Sequence, residues 1–244
     1  MNRVKIELSY DGTHYHGWQI QDNAVTVQGK IQEALKALFS EDVTVFGCSR
    51  TDTGVHAKKF VCHADLPRSF PIDKLPFALN AHLPGDIAIL HAENVSDDFH
   101  ARFSCKGKTY TYRLWNERIR NPLELNKAGF WPTPLDAENM NRISKAFVGS
   151  HDFAAFMASG SVIEDTVREI YSFDVRREGS FIVFTVSGNG FLYNMVRIMV
   201  GTLIYADQGR LDRSVEDVIL SKDRTLAGIT VSPQGLYLEN PFYD

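Results

Sequence analysis

Asp52 follows Arg50 by two residues in Arg50-Thr51-Asp52-Thr53-Gly54-Val55-His56-Ala57. An ionised carboxylate held in place can act as a nucleophile or as a base. Val43-Thr44-Val45-Phe46-Gly47 before it reads as a short β-strand ending at a glycine, and Phe60-Val61-Cys62-His63-Ala64 after it as a second strand. The residues between are turn formers, so Asp52 is expected on a loop carried by two strands, a common location for reacting groups. A guanidinium nearby favours the charged carboxylate. Asp and Thr before Gly also cap turns through side-chain-to-backbone hydrogen bonds, and spacing alone divides the chemical and the turn-capping readings about evenly.

A second charge sits in an unusual setting. In the segment from Phe191 to Gly201, Arg197 is the one charged residue among Leu192, Met195, Val196, Ile198, Met199 and Val200. A guanidinium inside a buried helix needs a partner, usually a carboxylate, unless its head reaches water along the helix surface. A loop aspartate in need of a cation and a helix arginine in need of an anion make an Asp52–Arg197 pair the expectation. A third feature is His100 to Arg120, where Arg102, Lys106, Lys108, Arg113, Arg118 and Arg120 face a single acid, Glu117, with Tyr110, Tyr112 and Trp115 interleaved. Mixed cations and rings suit phosphates and unstacked bases. The same composition also describes a solvated strand with a polar face.

The elements that must position these groups follow from periodicity. Val4, Ile6, Leu8 and Tyr10 alternate with Lys5, Glu7 and Ser9, a half-buried strand. Val27, Ile31, Ala34, Leu35, Leu38 and Phe39 have helical spacing, with Thr26 as N-cap. Tyr10 to Gln19 between them is a loop dense in glycine, histidine and aromatics. A short helix is expected near Asp73, with Pro76 in its first turn, and a strand from Ile87 to Val95. The second half follows a similar pattern, with a strand over Thr109 to Trp115 that sets Tyr110, Tyr112 and Leu114 on one face, and a helix capped by Asp136. Strands Glu169 to Arg176 and Phe181 to Ser187 come next, then a helix from about Phe191 and a last one opened by Ser214 in a capping-box pattern. Asn116 to Pro134 is the most loop-like stretch. Adjacent strands with interspersed helices predict an α+β protein with mainly antiparallel sheets, divided into residues 1–104 and 105–244.

Composition narrows the classes. A chain of 244 residues can bury one large core or two modest ones, and a 44% hydrophobic, 23% charged content is ordinary for a globular protein. The net charge of −4 argues mildly against nucleic acid, but a local basic stripe matters more than the total. Cys48, Cys62 and Cys105 form no C-x-x-C pair, so reduced thiols rather than a disulfide framework or a zinc site are expected. The eight histidines show no metal-ligand spacing, and neither a phosphate-binding loop nor a dinucleotide-binding glycine motif is present. Met1 leads directly into a strand without an apolar leader, so a cytoplasmic location is expected.

Taken together, the stretch from Arg50 to Ala57 closely resembles the signature loop of the TruA family of tRNA pseudouridine synthases. Gly188, Phe191-Leu192, Met195-Val196-Arg197 and Met199-Val200-Gly201 resemble a second pattern of that family. Tyr10-Asp11-Gly12 with Gly17-Trp18-Gln19, Asn80 to Pro84, Phe99 to Arg102, Lys108 to Arg113 and Pro233 to Leu238 extend the likeness nearly end to end. Lys58-Lys59 stands where a Gly-Gln pair is common, and Ser232 where Ala is usual.

The resemblance implies the pseudouridine synthase fold, two ferredoxin-like α+β halves joined across a central catalytic cleft. It also implies isomerisation of uridine to pseudouridine at positions 38, 39 and 40 of the tRNA anticodon stem-loop, without cofactor or metal, by a homodimer. Asp52 becomes the catalytic residue, as nucleophile at C1′ or base at C2′ of the ribose, and Arg197 its partner. Tyr110 becomes the residue stacked on the flipped base. Arg50 holds Asp52 or contacts the RNA backbone, while Lys58, Arg102, Lys106 and Lys108 are candidate tRNA contacts. Two rivals remain: a silent RNA-binding protein using the same surface, and a hydrolase using Asp52 with His56. Glycoside hydrolysis normally wants two carboxylates and a nuclease wants metal ligands, and neither surrounds Asp52, so the hydrolase ranks last.

Overall fold

The structure, a computed structural model, describes residues 2–160 and 163–243. Its elements run β1 (Arg3–Tyr10), α1 (Val27–Phe39), β2 (Val45–Gly47), β3 (His56–Asp65), α2 (Leu75–Asn80), β4 (Ile87–Asn94), β5 (Gly107–Trp115) and β6 (Gly129–Phe130). They continue with α3 (Ala137–Ser144), β7 (Gly149–Asp152), β8 (Val167–Glu178), β9 (Phe181–Gly188), α4 (Met195–Asp207), α5 (Val215–Ser221) and β10 (Leu236–Phe242). The chain is α+β with mostly antiparallel pairing, as the strand-helix order predicts. It divides into two units, Met1–Lys106 with Tyr237–Asp244, and Gly107–Leu236.

In the first unit, β1 lies between β4 and β3, antiparallel to both. The alternation in β1 becomes burial: Val4, Ile6, Leu8 and Tyr10 are all inside. They stand opposite Ala64, Cys62, Phe60 and Ala57 of β3, with a register shift before Tyr10. The far edge of β3 is shared. Antiparallel β2 pairs near its end, Gly47 opposite Cys62, and parallel β10 near its start, Tyr237 opposite His56. The sequence division left β10 with residues 105–244, whereas from Tyr237 onward it belongs to the first unit. A pairing between positions so far apart leaves no trace in local pattern. Helix α1 buries Val27, Ile31, Ala34, Leu35 and Phe39, and the Thr26 hydroxyl caps it by accepting from Gly29 N–H at 3.3 Å. Each large side chain on that face contributes about 1.5–3 kcal/mol of burial.

In the second unit, β5, β9, β8 and β7 are successive antiparallel neighbours, and short β6 runs parallel to β5. Tyr112 and Leu114 of β5 face the core as the alternation predicts, together with Phe184, Phe173 and Met140. Asp136 caps α3 through the Glu138 and Asn139 N–H groups, and Ser214 caps α5 through that of Asp217.

Boundaries moved where backbone geometry overrides pattern. Strand β3 begins at His56 rather than Phe60, because the exposed Lys58 interrupts the apolar run without ending the strand. Strands β8 and β9 run to a turn at Gly179-Ser180, with Gly179 at φ +59°. Helix α4 starts at Met195 rather than near Phe191: Asn194 is left-handed at φ +59°, and Met195 N–H closes a turn onto Leu192 O. The short strands β6 and β7, and β10, carry too little periodicity to be read from sequence.

Candidate active site

Asp52 lies half-buried on the loop between β2 and β3. Its carbonyl accepts from Val55 N–H at 3.1 Å, closing a turn in which Gly54 takes φ +77°, a conformation that strains any residue bearing a Cβ. The residue before it is gripped twice. The buried Thr51 hydroxyl meets the Tyr10 hydroxyl at 2.8 Å, and Thr51 O accepts from Trp18 N–H at 3.1 Å.

The loop from Tyr10 to Trp18 is what holds this turn. Gly12 packs so closely that a Cβ there would sit 2.0 Å from Val55 O. Gly12 N–H donates to His56 Nδ1 at 3.0 Å, and Gly54 N–H to Tyr15 O at 3.3 Å. The same loop is tied to α1, since Val27 N–H donates to Gly17 O and Gln28 N–H to Trp18 O. The Trp18 ring stacks on Phe60 at 4.0 Å and lies over Gly47, where a Cβ would come within 2.5 Å of its Nε1. A glycine ending β2 is thus what admits the tryptophan. His56 is buried and stacked on Tyr237 at 4.7 Å. Its Nδ1 accepts the Gly12 N–H, so that nitrogen has no proton to give Asp11 Oδ1, 3.1 Å away, and the approach is not an ion pair. His56 is thus committed to holding the Gly12 loop, with its ring against Tyr237.

Composition marks this loop, but residue type alone gives Tyr10, Gly12, Gly17, Trp18 and Thr51 no positioning task. The legible signal was two glycines and a tryptophan in a ten-residue loop. Gly17 is the sharpest case, with φ +83° and a would-be Cβ 2.3 Å from Thr51 O and 3.1 Å from Asp52 C. Gly17→Ala is expected to cost about 2–3 kcal/mol of stability from left-handed strain and overpacking. Because the displaced atoms belong to Thr51 and Asp52, turnover should also drop on the order of 10²-fold. Urea unfolding beside single-turnover kinetics checks both, with Gly85→Ala as the neutral control, since nothing lies within 4 Å of a Cβ at Gly85. Wild-type turnover in Gly17→Ala would show that the clamp does not position Asp52.

In the second unit, Tyr110 and Tyr112 point to the same side of β5. Tyr110 is 6% exposed and meets Phe191 edge-on at 5.1 Å. The Tyr112 hydroxyl donates to Ser232 O at 2.9 Å, and burial pushes its ionisation up to about 12. Tyr112 is therefore a core group. Arg197, half-buried on α4, donates from Nε to Val231 O at 2.7 Å and from Nη1 to Asn194 Oδ1 at 2.6 Å. Consecutive carbonyls of one segment thus anchor the tyrosine of β5 and the arginine of α4. That segment runs along α4: Gly228 N–H donates to Thr202 Oγ1 at 2.9 Å, and a Cβ on Gly201 would lie 1.9 Å from Ile229 O. Gly201 lets the strap close, and the strap fixes the guanidinium. The left-handed Asn194 turns its amide oxygen onto the same group.

The remaining sequence candidates are spread. Arg50 is exposed and makes no ion pair among the described residues. Lys58 pairs with Glu239 at 2.7 Å and lies 5.8 Å from the Tyr237 ring centroid. Arg102 and Lys106 are exposed, and Lys108 is half-buried on β5. Arg113, counted in the basic stripe, lies 4.3 Å over the Phe181 ring and 3.9 Å from Glu124. Asp52, Arg50, Lys58, Arg102 and Lys106 belong to the first unit, and Lys108, Tyr110 and Arg197 to the second.

Comparison with known proteins bears on what these groups do. A family described as tRNA pseudouridine synthase matches residues 8–104 and 143–244. A protein of Thermoanaerobacter sp. strain X514 named tRNA pseudouridine synthase A is 47% identical over 244 residues, covering all of both chains. One of the same name from Ruminiclostridium cellulolyticum is 47% identical over 245 residues, again covering all of both. A tRNA pseudouridine synthase A 2 of Clostridium perfringens is 43% identical over the full length of both. On that full-length similarity, and on a family match that includes both the Asp52 loop and α4, the chain belongs to the tRNA pseudouridine synthase family.

Proposed function

We propose that this protein isomerises uridine to pseudouridine at positions 38, 39 and 40 in the anticodon stem-loop of tRNAs. Full-length identity of 47% to proteins named tRNA pseudouridine synthase A carries the reading. The clamped Asp52 turn supports it, because a reacting carboxylate must be held before the substrate arrives.

The reaction balances without an external reagent. The bond from N1 of uracil to C1′ breaks, the base turns, a bond from C5 to C1′ forms, and the hydrogen on C5 leaves as a proton while N1 gains one. Asp52 initiates it on a uridine flipped out of the stack, by attack at C1′ or by taking a proton at C2′. Arg197 compensates the charge of Asp52, and its fork, anchored on Val231 O and Asn194 Oδ1, is preorganised for that task. Tyr110, fixed edge-on by Phe191, offers its ring to the flipped base. Solvent-facing Arg50 contacts the RNA backbone, with Lys58, Arg102, Lys106 and Lys108 as further phosphate contacts. Residues 1–104 carry the aspartate, and residues 105–244 the tyrosine and arginine. The protein acts as a cytoplasmic homodimer. Among the described residues no helix is long and apolar enough to cross a membrane.

Tritium release from [5-³H]uridine-labelled unmodified tRNA, with chelator present throughout, tests the activity. Release that maps to positions 38 to 40 is the expected result. Bound tRNA without release would instead make the protein a silent RNA binder.

A further inference from the structure

We propose that Phe46, His100 and Phe103, with Arg102 over Phe103, form a stacking platform for an unpaired base of the tRNA, separate from the seat of the reacting uridine. The platform belongs to the first unit. Phe103 is 76% exposed and Phe46 is 47% exposed, yet both rings are part of a continuous cluster. Phe46 stacks on the buried His63 at 5.1 Å with 19° between planes, and His100 lies 4.6 Å from His63 and 5.6 Å from Phe46. Phe103 extends the cluster outward, 4.3 Å from His100.

The rings are held out rather than left to collapse. His63 Nδ1 accepts from Ala101 N–H at 3.1 Å, and His100 Nδ1 accepts from Arg102 N–H at 3.1 Å and Phe103 N–H at 3.3 Å. The turn is closed by Ser104 N–H on His100 O and by His100 N–H on Ser104 Oγ. Both imidazoles therefore accept at Nδ1 and stay uncharged. Burial pushes His63 down to about 4 and lowers His100, with Arg3 and Arg102 acting in the same direction. A rigid, exposed aromatic face has a low ordering cost on binding.

Charge selects the ligand. The Arg102 guanidinium lies 5.6 Å from the Phe103 ring centroid and makes no ion pair among the described residues, whereas Arg3 is held by both oxygens of Asp65. One ring and one uncommitted guanidinium match one base and its phosphate. Two exposed rings fall far short of the roughly 800 Å² per partner that a stable protein interface buries. The Asp52 loop leaves β2 just after Phe46 but folds back to enter β3 at His56, seven residues along the strand from His63. Thr51 is therefore held beside Tyr10 near the start of β3, while the platform lies toward its end. The base held here is consequently another nucleotide of the same tRNA, one outside a base-paired stack.

This rests on the reading that tRNA is the substrate. The test measures tRNA affinity by filter binding and saturating single-turnover tritium release for wild type, Phe103→Ala, Phe103→Trp and Arg102→Gln. Phe103→Ala should weaken binding about tenfold, Phe103→Trp should restore it, and Arg102→Gln should weaken it also. For Phe103→Ala the loss should fall on affinity, with the saturating rate changed less than about twofold. Wild-type affinity in Phe103→Ala, beside normal turnover, would overturn the platform and leave the enzymatic reading standing. A fall in sedimenting mass in Phe103→Ala would overturn it in favour of an interface with a second copy. Wild-type protein that neither binds nor modifies tRNA would mark failure of the functional reading, and the platform would lose its ligand with it.

Discussion

Asp52→Ala and Asp52→Asn should each lower single-turnover tritium release by at least ~10⁴-fold, the scale at which a reacting group differs from a merely helpful one. Affinity for tRNA should stay within about threefold, and the stability of the fold to denaturant should change little. The reason lies in what holds the loop. Gly54 supplies the left-handed turn, Thr51 is bound at its hydroxyl and its carbonyl, and Gly12 and Gly17 pack against the loop backbone. These contacts survive removal of the carboxylate. The turn-capping reading of Asp52 makes the opposite prediction, a loss of stability of about 1 kcal/mol with activity falling in proportion. Measuring unfolding midpoints and tritium release on the same preparations separates the two. Substantial residual release from Asp52→Ala would sink the catalytic assignment.

Arg197→Met should reduce the single-turnover rate by about 10²–10³-fold, the range seen when one preorganised charge or donor is taken from a reacting site. Unlike the aspartate variants, it should also destabilise the second unit. Val231 O and Asn194 Oδ1 would each lose a donor, at roughly 1–3 kcal/mol for a buried group left unsatisfied. Methionine keeps the apolar stem, so the loss is electrostatic and hydrogen-bonding rather than a cavity. Arg197→Lys retains the charge without the fork and should recover only part of the rate, because an ammonium cannot serve two fixed acceptors in the guanidinium geometry. Wild-type turnover in Arg197→Met would exclude the guanidinium from the chemistry, even if the melting temperature fell.

Much of this was readable from local pattern because local physics produces it. Val4, Ile6, Leu8 and Tyr10 go inside since a strand alternates faces and one face meets a core. Thr26, Asp136 and Ser214 cap helices since they are short oxygen-bearing side chains placed just before helical spacing begins. Arg197 stood out because its neighbours along the helix are apolar. Tyr110 and Tyr112 illustrate the limit. They share one face of β5, so alternation cannot separate them; the resemblance singles out Tyr110, and the structure supplies the contacts, a Tyr112 hydroxyl on Ser232 O and a Tyr110 ring held edge-on by Phe191.

By itself the sequence determined the α+β class, the loop that carries Asp52 and the family to which the chain belongs, because alternation, capping and contiguous motifs involve residues near one another along the chain. Only the tertiary structure decided that β10 closes the first unit and that Tyr10, Gly12, Gly17 and Trp18 brace the Asp52 turn. It alone also placed the strap ending at Val231 and Ser232 against α4 and β5. These are contacts between distant positions, most of them backbone hydrogen bonds or clearances around a missing Cβ. Since every residue but proline carries the same backbone donor and acceptor, residue type alone cannot say which of them will meet.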